Sequence, residues 1–275
     1  LPDGQAWYDY YVQEHTTTKL TPDEIHALGH SEVKRILGEM DEVRRQVGFK
    51  GDLEAFFTFL ETDPQFYFTQ GTDLLAGYRT LKTQIDAALP KLFSVLPRAD
   101  YEVREVEAFR AQSAAGAYYQ QPSADGSRPG VFYVNTYNLK AQPKFGMETL
   151  SLHEAAPGHH FQVSIQQELE GVPRFRRFGG DYTAFVEGWA HYCEQMMIEA
   201  GFQKQDPTIR LGQLAEALIR LSRMIVAIRL HTDDMSVEQG VRFFRDEAYL
   251  EESHARREAE RGTFDPGYVV YTAGK

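Results

Sequence analysis

The sequence contains a single cysteine, Cys193, among 275 residues, so no disulfide can form within the chain. This scarcity leaves the redox compartment open, because secreted proteins need not carry disulfides. The chain also lacks an excess of positive charge: 29 Lys and Arg stand against 40 Asp and Glu, a net charge of −11. No stretch concentrates basic residues, and this balance argues against nucleic-acid binding.

Long apolar runs are absent too. No stretch approaches the roughly 18 residues that a membrane-spanning helix needs. The chain starts at Leu1 rather than at a methionine, with no signal-like segment before its first amphipathic pattern, so we expect a C-terminal portion of a longer protein. Its aromatic content of 13%, with 15 Tyr and 18 Phe, excludes disorder and suits a folded protein with a cleft.

Apolar periodicity predicts a mainly α-helical chain with a small β-sheet. The sequence Thr21-Pro22-Asp23-Glu24 combines an N-cap, a proline at the first helical position and a capping-box glutamate ahead of a long apolar stripe. Further helices are predicted at 3–15, 52–61, 72–88, 207–231 and 236–249, and strands around 100–136. A loop at 120–130 separates a helical part, 1–120, from a candidate catalytic part, 121–275, and we expect the two to form one continuous domain.

The stretch SLHEAAPGHHFQ at 151–162 lacks the H-E-x-x-H spacing of zinc peptidase helices. Pro157 stands four residues after His153, and histidines follow only at 159 and 160. On a straight helix His159 would lie about 240° around the axis from His153, and His160 about 10.5 Å along it. Neither could share an ion with His153 through bonds of about 2.0–2.1 Å.

Pro157 and Gly158 predict that this helix is broken. Proline cannot donate to the carbonyl of His153, and glycine accepts backbone angles that other residues avoid. A break would let His159 take the position of the second histidine ligand, with His160 as the alternative. Distortions of this kind are common at functional sites.

A third ligand is predicted in the segment FVEGWAHYCE at 185–194. Glu187 would supply a carboxylate from a later helix, and His191, four residues on, is a rival ligand or a partner of one. Two histidines and a carboxylate with one open position form a typical catalytic zinc site. The sequence therefore predicts Zn2+ bound by His153, His159 and Glu187.

The motifs HEAAPGHHFQ and AFVEGWAHYCE resemble the bacterial family called domain of unknown function 885, whose pattern is H-E-x-x-P-G-H followed by E-G-W-A. Other stretches along the chain also look like that family: TPDEIHALG, GSRPGVFYVNTYNL and REAERGTFDPGYVVYTAGK. The family is similar to zinc peptidases of the gluzincin clan. The resemblance implies a multi-helix, gluzincin-like catalytic domain with a small sheet beside the metal.

The resemblance also implies roles for individual residues. His153, His159 and Glu187 would be the metal ligands, and Glu154 the general base that takes a proton from water. Tyr271 and His231 look like the positions that stabilise an oxyanion in related peptidases.

Substrate contacts are predicted in the segment RPGVFYVNTYN at 128–138. We expect an edge strand that pairs with an extended peptide, with Tyr133, Asn135 and Tyr137 adding side-chain contacts; a core strand is the alternative. Arg223 is a candidate clamp for a substrate carboxylate, as are Arg220 and the arginines of PRFRRF at 173–178.

Together these features lead us to expect a zinc-dependent peptidase acting on peptides through a metal-activated water. A metal-dependent hydrolase of another amide or ester is one alternative, and an inactive metal-containing peptide-binding protein is the other. A periplasmic or cell-envelope location, as a secreted protein or lipoprotein, is favoured over the cytoplasm.

Overall fold

The structure, a computed structural model, describes residues 2–179, 182–202 and 206–275. It is mainly α-helical, which confirms the predicted class. The helices are α1 (Gly4–Thr16), α2 (Pro22–Gln46), α3 (Leu53–Thr62), α4 (Gly71–Ala88), α5 (Met147–Glu154), α6 (His159–Glu168), α7 (Arg174–Phe178), α8 (Thr183–Glu199), α9 (Pro207–Thr232), α10 (Val237–Ala248), α11 (Glu252–Gly262) and α12 (Val270–Gly274). In the described parts of the chain, no helix combines the length and apolar character needed to cross a bilayer.

The predicted cap of α2 is present. The hydroxyl of Thr21 accepts from the backbone N–H of Glu24 at 3.3 Å, and the Glu24 carboxylate accepts from the backbone N–H of Thr21 at 2.8 Å. These two bonds satisfy amide groups that a helix start would otherwise leave unpaired. The buried residues of α2 recur at helical spacing from Ile25 to Val43, so the apolar stripe forms part of a core.

A three-stranded sheet consists of β1 (Tyr101–Glu105), β2 (Ala117–Gln120) and β3 (Gly130–Val134), in the order β1-β3-β2. β3 pairs in parallel with β1 and antiparallel with β2, and all five of its residues are buried. The expectation of an edge strand at 128–138 is therefore wrong, because both sides of β3 are already paired. A strand so fully apolar is typical of a sheet centre rather than an edge.

The chain forms two compact units, each built from separate stretches of sequence. The first unit comprises 1–58, 182–191 and 213–275, and the second comprises 59–181 and 192–212. Each unit has buried apolar clusters of its own. The larger cluster of the second unit joins α4, the sheet and α5, with Tyr78 and Phe132 among its most buried side chains.

In the first unit, α12 packs on the first half of α8 through glycine. A Cβ on Gly188 would lie 2.2 Å from the carbonyl carbon of Gly274, and one on Gly274 would lie 1.9 Å from the carbonyl oxygen of Ala184. Only glycine at both positions allows the two backbones to approach so closely. Tyr271 on α12 and Glu187 on α8 are held by this contact.

We predict that Gly274→Ala destabilises the protein by about 1–3 kcal/mol, because the added methyl group meets backbone atoms that cannot rotate away. Thermal or urea unfolding measures the change. Gly38→Ala is the matched control, since a Cβ there meets nothing within 4 Å and the exchange removes a helical glycine. The free energy of unfolding of this control should rise by roughly 0.5–1 kcal/mol. Equal stability of the Gly274→Ala variant and the wild type would contradict the packing argument.

Candidate metal centre

The predicted break between His153 and His159 is present. α5 ends at Glu154 and α6 begins at His159, and between them Ala155 adopts φ −104°, ψ −103° and Gly158 adopts φ −74°, ψ −128°, both outside the helical region. The Ala156–Pro157 peptide bond is cis. A Cβ on Gly158 would lie 1.9 Å from the carbonyl oxygen of His153, so glycine is required for this chain path. The chain thus restarts as a second helix whose first residue is His159.

The break brings the imidazoles of His153 and His159 together. Their ring centroids lie 4.7 Å apart with the planes at 81°. One ligand atom from each of His153, His159 and Glu187 lies within 4.8 Å of the other two. This trio is the one group of at least three candidate ligands found in the described residues. The three residues singled out as ligands from the sequence therefore lie together.

Glu194 fixes the orientation of His153. Its carboxylate is fully buried, and its Oε1 lies 2.7 Å from Nδ1 of His153, which is itself 4% exposed. An ionised carboxylate only accepts hydrogen bonds, so the proton of the neutral imidazole resides on Nδ1 and the lone pair on Nε2. A histidine held in this way by a carboxylate is the usual arrangement behind a metal ligand.

The donor set fits a zinc ion. Zinc in proteins is bound by imidazole nitrogen and carboxylate oxygen, and three protein ligands leave a fourth position for water. The side chains of His153, His159 and Glu187 offer these donor atoms.

His160 has other partners. Its Nε2 donates to the backbone carbonyl of Ala99 at 3.1 Å, and its Nδ1 accepts from the hydroxyl of Tyr119 at 2.9 Å. Its ring packs against Tyr101 with centroids 4.8 Å apart. Burial lowers the pKa of His160 to about 4, so the ring is neutral. Both nitrogens are occupied by these bonds, and His160 serves the packing of α6 against the sheet.

The other residues proposed around the metal occupy distinct positions. Glu154 is the last residue of α5, half-buried and adjacent to His153. His191 is buried and is not a member of the trio. Glu194, about one helical turn further along α8, is the residue bonded to His153.

Tyr271 lies beside the candidate ligand Glu187. Burial raises the pKa of Tyr271, and the charge of Glu187 raises it further, while Arg223 and Arg220 act in the opposite direction. The guanidinium groups of Arg220 and Arg223 lie 5.6 and 5.7 Å from the centroid of the Tyr271 ring. The phenol is therefore protonated at neutral pH and available as a hydrogen-bond donor.

Arg223 is engaged by an internal carboxylate. Its guanidinium donates twice to Glu258, at 2.7 and 2.8 Å, and the hydroxyl of Tyr268 lies 2.9 Å from the same carboxylate. Burial alone would raise the pKa of Glu258, but the hydrogen bonds from Arg223, His254 and Tyr268 hold it well below its usual range. Arg223 thus joins Glu258 to the ring of Tyr271. To bind a substrate carboxylate, its guanidinium would have to give up part of its two-bond contact with Glu258.

His231 has partners inside the protein. The Nε2 of His231 donates to the carbonyl of Gly262 at 3.1 Å, and its ring stacks on Tyr8 with centroids 4.6 Å apart. This bond engages Nε2, so that nitrogen is directed at Gly262 rather than at a substrate oxygen.

The aromatic and amide side chains around β3 are also in use. Tyr133 is buried and stacks on Tyr118 at 4.9 Å. The amide of Asn135 donates to the carbonyl of Ala111 at 2.7 Å and accepts from the backbone N–H of Tyr137 at 3.0 Å. Tyr137 itself is 64% exposed. Of these three side chains, Tyr137 is the one with most of its surface open to a ligand.

Comparison with known proteins gives a family for the whole chain. The sequence pattern of a family described as "Bacterial protein of unknown function (DUF885)" matches residues 2–275. The chain belongs to the DUF885 family. This match confirms the resemblance drawn from HEAAPGHHFQ and AFVEGWAHYCE. A search of curated proteins finds no match to the DUF885 chain.

Two solved structures are similar to this DUF885 chain. A protein from Colwellia psychrerythraea shares 32% sequence identity at a TM-score of 0.94, over 99% of this chain and 48% of that one. A protein from Shewanella oneidensis shares 19% identity at a TM-score of 0.81, over 98% of this chain and 51% of that one, and supports the fold alone. Each is described as a "putative lipoprotein". The DUF885 chain spans about half the length of these proteins.

Glu194 is the site residue that sequence reasoning missed, although it closes the motif AFVEGWAHYCE. A signal was available. Glu194 follows Glu187 by seven residues, which on a helix means about 20° around the axis and about 10.5 Å along it. The two carboxylates therefore share one face of α8. The four-residue spacing from Glu187 favours His191 instead.

We predict that Glu194→Gln in this DUF885 protein weakens zinc binding by about 10–100-fold, because the amide no longer fixes the charge and tautomer of His153. A competition titration against a chelator of known affinity measures the change. Glu199→Gln on the same helix is the matched control, since its carboxylate is exposed and bonds Gln195. Unchanged zinc affinity in the Glu194→Gln variant would remove the orienting role.

A second prediction separates the neighbouring histidines. His159→Ala should lose the bound metal, because it removes one of three ligands. His160→Ala should retain the metal and lower the unfolding temperature, because it removes both hydrogen bonds of a buried side chain. Elemental analysis and thermal unfolding of both purified variants give the two readouts. Loss of metal on changing His160 alone would mean that the wrong neighbour was chosen.

Proposed function

We propose that this DUF885 protein is a zinc-dependent peptidase that hydrolyses peptide bonds with the help of an activated water. The observation that supports it most is the meeting of His153, His159 and Glu187 within 4.8 Å of one another. The order of these residues, two histidines around a helix break and a glutamate on a later helix, is the layout of glutamate-ligand zinc peptidases. A gluzincin-like catalytic domain is therefore part of the proposal.

When bound, the zinc ion would lower the pKa of a water molecule toward 7 and polarise the carbonyl of the substrate. Glu154, next to the ligand His153, would act as the general base that takes the proton of the attacking water and delivers it to the leaving nitrogen. The hydroxyl of Tyr271, beside Glu187, would donate a hydrogen bond to the oxygen on which negative charge develops. Glu194 would hold His153 in position throughout.

Glu154 favours an enzyme over an inactive peptide-binding protein. A protein that only captures peptides needs the metal ligands at most, and gains nothing from a carboxylate adjacent to them. The half-buried position of Glu154 at the end of α5 suits a group that must reach both solvent and substrate. Hydrolysis of another amide or ester would use the same residues, so the choice of substrate rests on testing peptides directly.

We infer a location in the cell envelope from the lipoprotein description of the two similar structures. A peptidase there would meet peptides rather than folded cytoplasmic proteins. The chain covers about half of each of those proteins, so the full-length protein is the proper form for the assay.

The test combines elemental analysis with digestion of a peptide library read by mass spectrometry. We predict that the wild-type protein contains zinc and cleaves peptides. Glu154→Gln should reduce the cleavage rate by about 10²- to 10⁴-fold, because it removes the group that transfers the proton. The zinc content of the variant should match that of the wild type, since Glu154 is not one of the three ligands.

Glu170→Gln, an exposed carboxylate just beyond α6, is the control and should leave the rate unchanged. Full activity in the Glu154→Gln variant would remove the general base and with it the mechanism. Tight peptide binding by a zinc-containing protein with no cleavage of any library member would support the inactive binding protein instead.

A further inference from the structure

A pair of histidines outside the metal centre lies on α2 in the first unit. His26 and His30 are four residues apart, and their Nε2 atoms lie 3.3 Å from each other, so that one N–H donates to the other nitrogen. The rings meet edge to face with centroids 4.6 Å apart. His30 is exposed and His26 is half-buried, so the pair is open to solvent.

The separation of the two nitrogens matches that of two ligands on one ion. Zn–N bonds of about 2.0–2.1 Å at the tetrahedral angle place the nitrogens about 3.3–3.4 Å apart. The observed 3.3 Å falls in this range, so α2 already holds the two nitrogens at the required spacing. A bound ion would displace the proton that now lies between them. Imidazole is a preferred ligand of the late first-row divalent ions, which sets the class of metal.

Negative charge lies next to this pair. A groove of about 420 Å³ is formed by α1, the start of α2 and the end of α9, and three of its lining residues are Asp9, Asp23 and Asp233. Thr232, the last residue of α9, also lines it. The carbonyl end of a helix carries partial negative charge, which adds to that of the carboxylates.

Burial and nearby charges favour the neutral imidazole of His26, which keeps one N–H and has a lone pair on its other nitrogen. Burial and the neighbouring His30 lower the pKa of His26, and Arg229 acts in the same direction, while Asp233 and Asp23 oppose the shift. Arg229 lies 3.9 Å from the Asp233 carboxylate, which offsets part of its charge. A neutral imidazole is the form that binds a metal ion.

We propose that His26 and His30 form a second metal site, which binds a late first-row divalent cation such as Zn2+ through two imidazole nitrogens and water. Asp23 and Asp233 favour the cation through their charge rather than as ligands. The site is independent of the proposed peptidase centre and shares no residue with it. Its affinity is lower than that of a three-ligand site, because fewer protein donors hold the ion.

The experiment uses the full chain, stripped with a chelator and titrated with Zn2+ alone by isothermal titration calorimetry. The wild type is expected to bind one more ion than His26→Ala, whether or not the other centre is loaded. His26→Ala should weaken binding of that ion on the order of a hundredfold, because one of two tethered ligands is lost. Asp233→Asn should retain the ion with an affinity reduced severalfold.

The matched control keeps two imidazoles and changes only their spacing. His30→Ala combined with Ser31→His moves the second ring about 100° around the helix, out of reach of a shared ion. This variant is expected to lose the ion as His26→Ala does, while His15→Ala, which removes a histidine of α1, keeps it. The proposal is overturned if the respaced variant binds Zn2+ with the stoichiometry and affinity of the wild type, or if His15→Ala causes the same loss.

Discussion

The close passage of the Gly158 backbone over the carbonyl of His153 is the constraint on which the candidate metal centre depends. At 1.9 Å from that oxygen there is no room for a Cβ, so the chain can turn here only with glycine. Without the turn, α5 and α6 would be one helix, and the imidazoles of His153 and His159 would lie on different faces, about 9 Å apart along the axis. The turn converts a spacing that excludes a shared ion into one that permits it. Two residues beyond the ordinary H-E-x-x-H spacing are accommodated, and the ring centroids lie 4.7 Å apart.

Once the rings are together, a second constraint decides which nitrogen faces the candidate metal. Glu194 is fully buried, and burying a carboxylate costs several kcal/mol unless hydrogen bonds or a positive charge compensate. The 2.7 Å bond to His153 is one such compensation, and a cation beyond the imidazole would be another. A fully buried carboxylate that contacts a candidate ligand histidine is therefore easier to explain beside a metal than in an ordinary core. Imidazole and carboxylate are donors that zinc accepts in proteins.

Local chemistry in the sequence accounts for much of what the structure contains. The cap at Thr21 and the break at Pro157 could be predicted because each depends on bonds between residues close in the chain. Glu187 could be proposed because a two-histidine site needs a carboxylate. The partners of Asn135, Arg223 and His231 could not be predicted, since each is bonded to a residue more than twenty positions away. The sequence left the central position of β3 as the alternative to an edge strand for the same reason. Strand order is set by long-range pairing, and an apolar five-residue segment has the same pattern at an edge and in the middle of a sheet.

The face of α8 that carries Glu187 shows how one rigid element serves several needs of the site. Glu187 provides a candidate ligand, Gly188 lets α12 approach closely enough to set Tyr271 beside it, and Glu194 orients His153 two turns later. A helix fixes these relationships more exactly than a loop would, because its residues rise by a constant 1.5 Å each. A substitution that bent α8 between Glu187 and Glu194 would shift the ligand and the orienting carboxylate by different amounts, and positional errors of about 1 Å are enough to impair a catalytic site. Cys193 helps to keep α8 in place. It is fully buried between Glu187 and Glu194, and its Sγ lies 3.5 Å from the carbonyl oxygen of Pro157. The thiol therefore packs α8 against the turn that separates the two histidines.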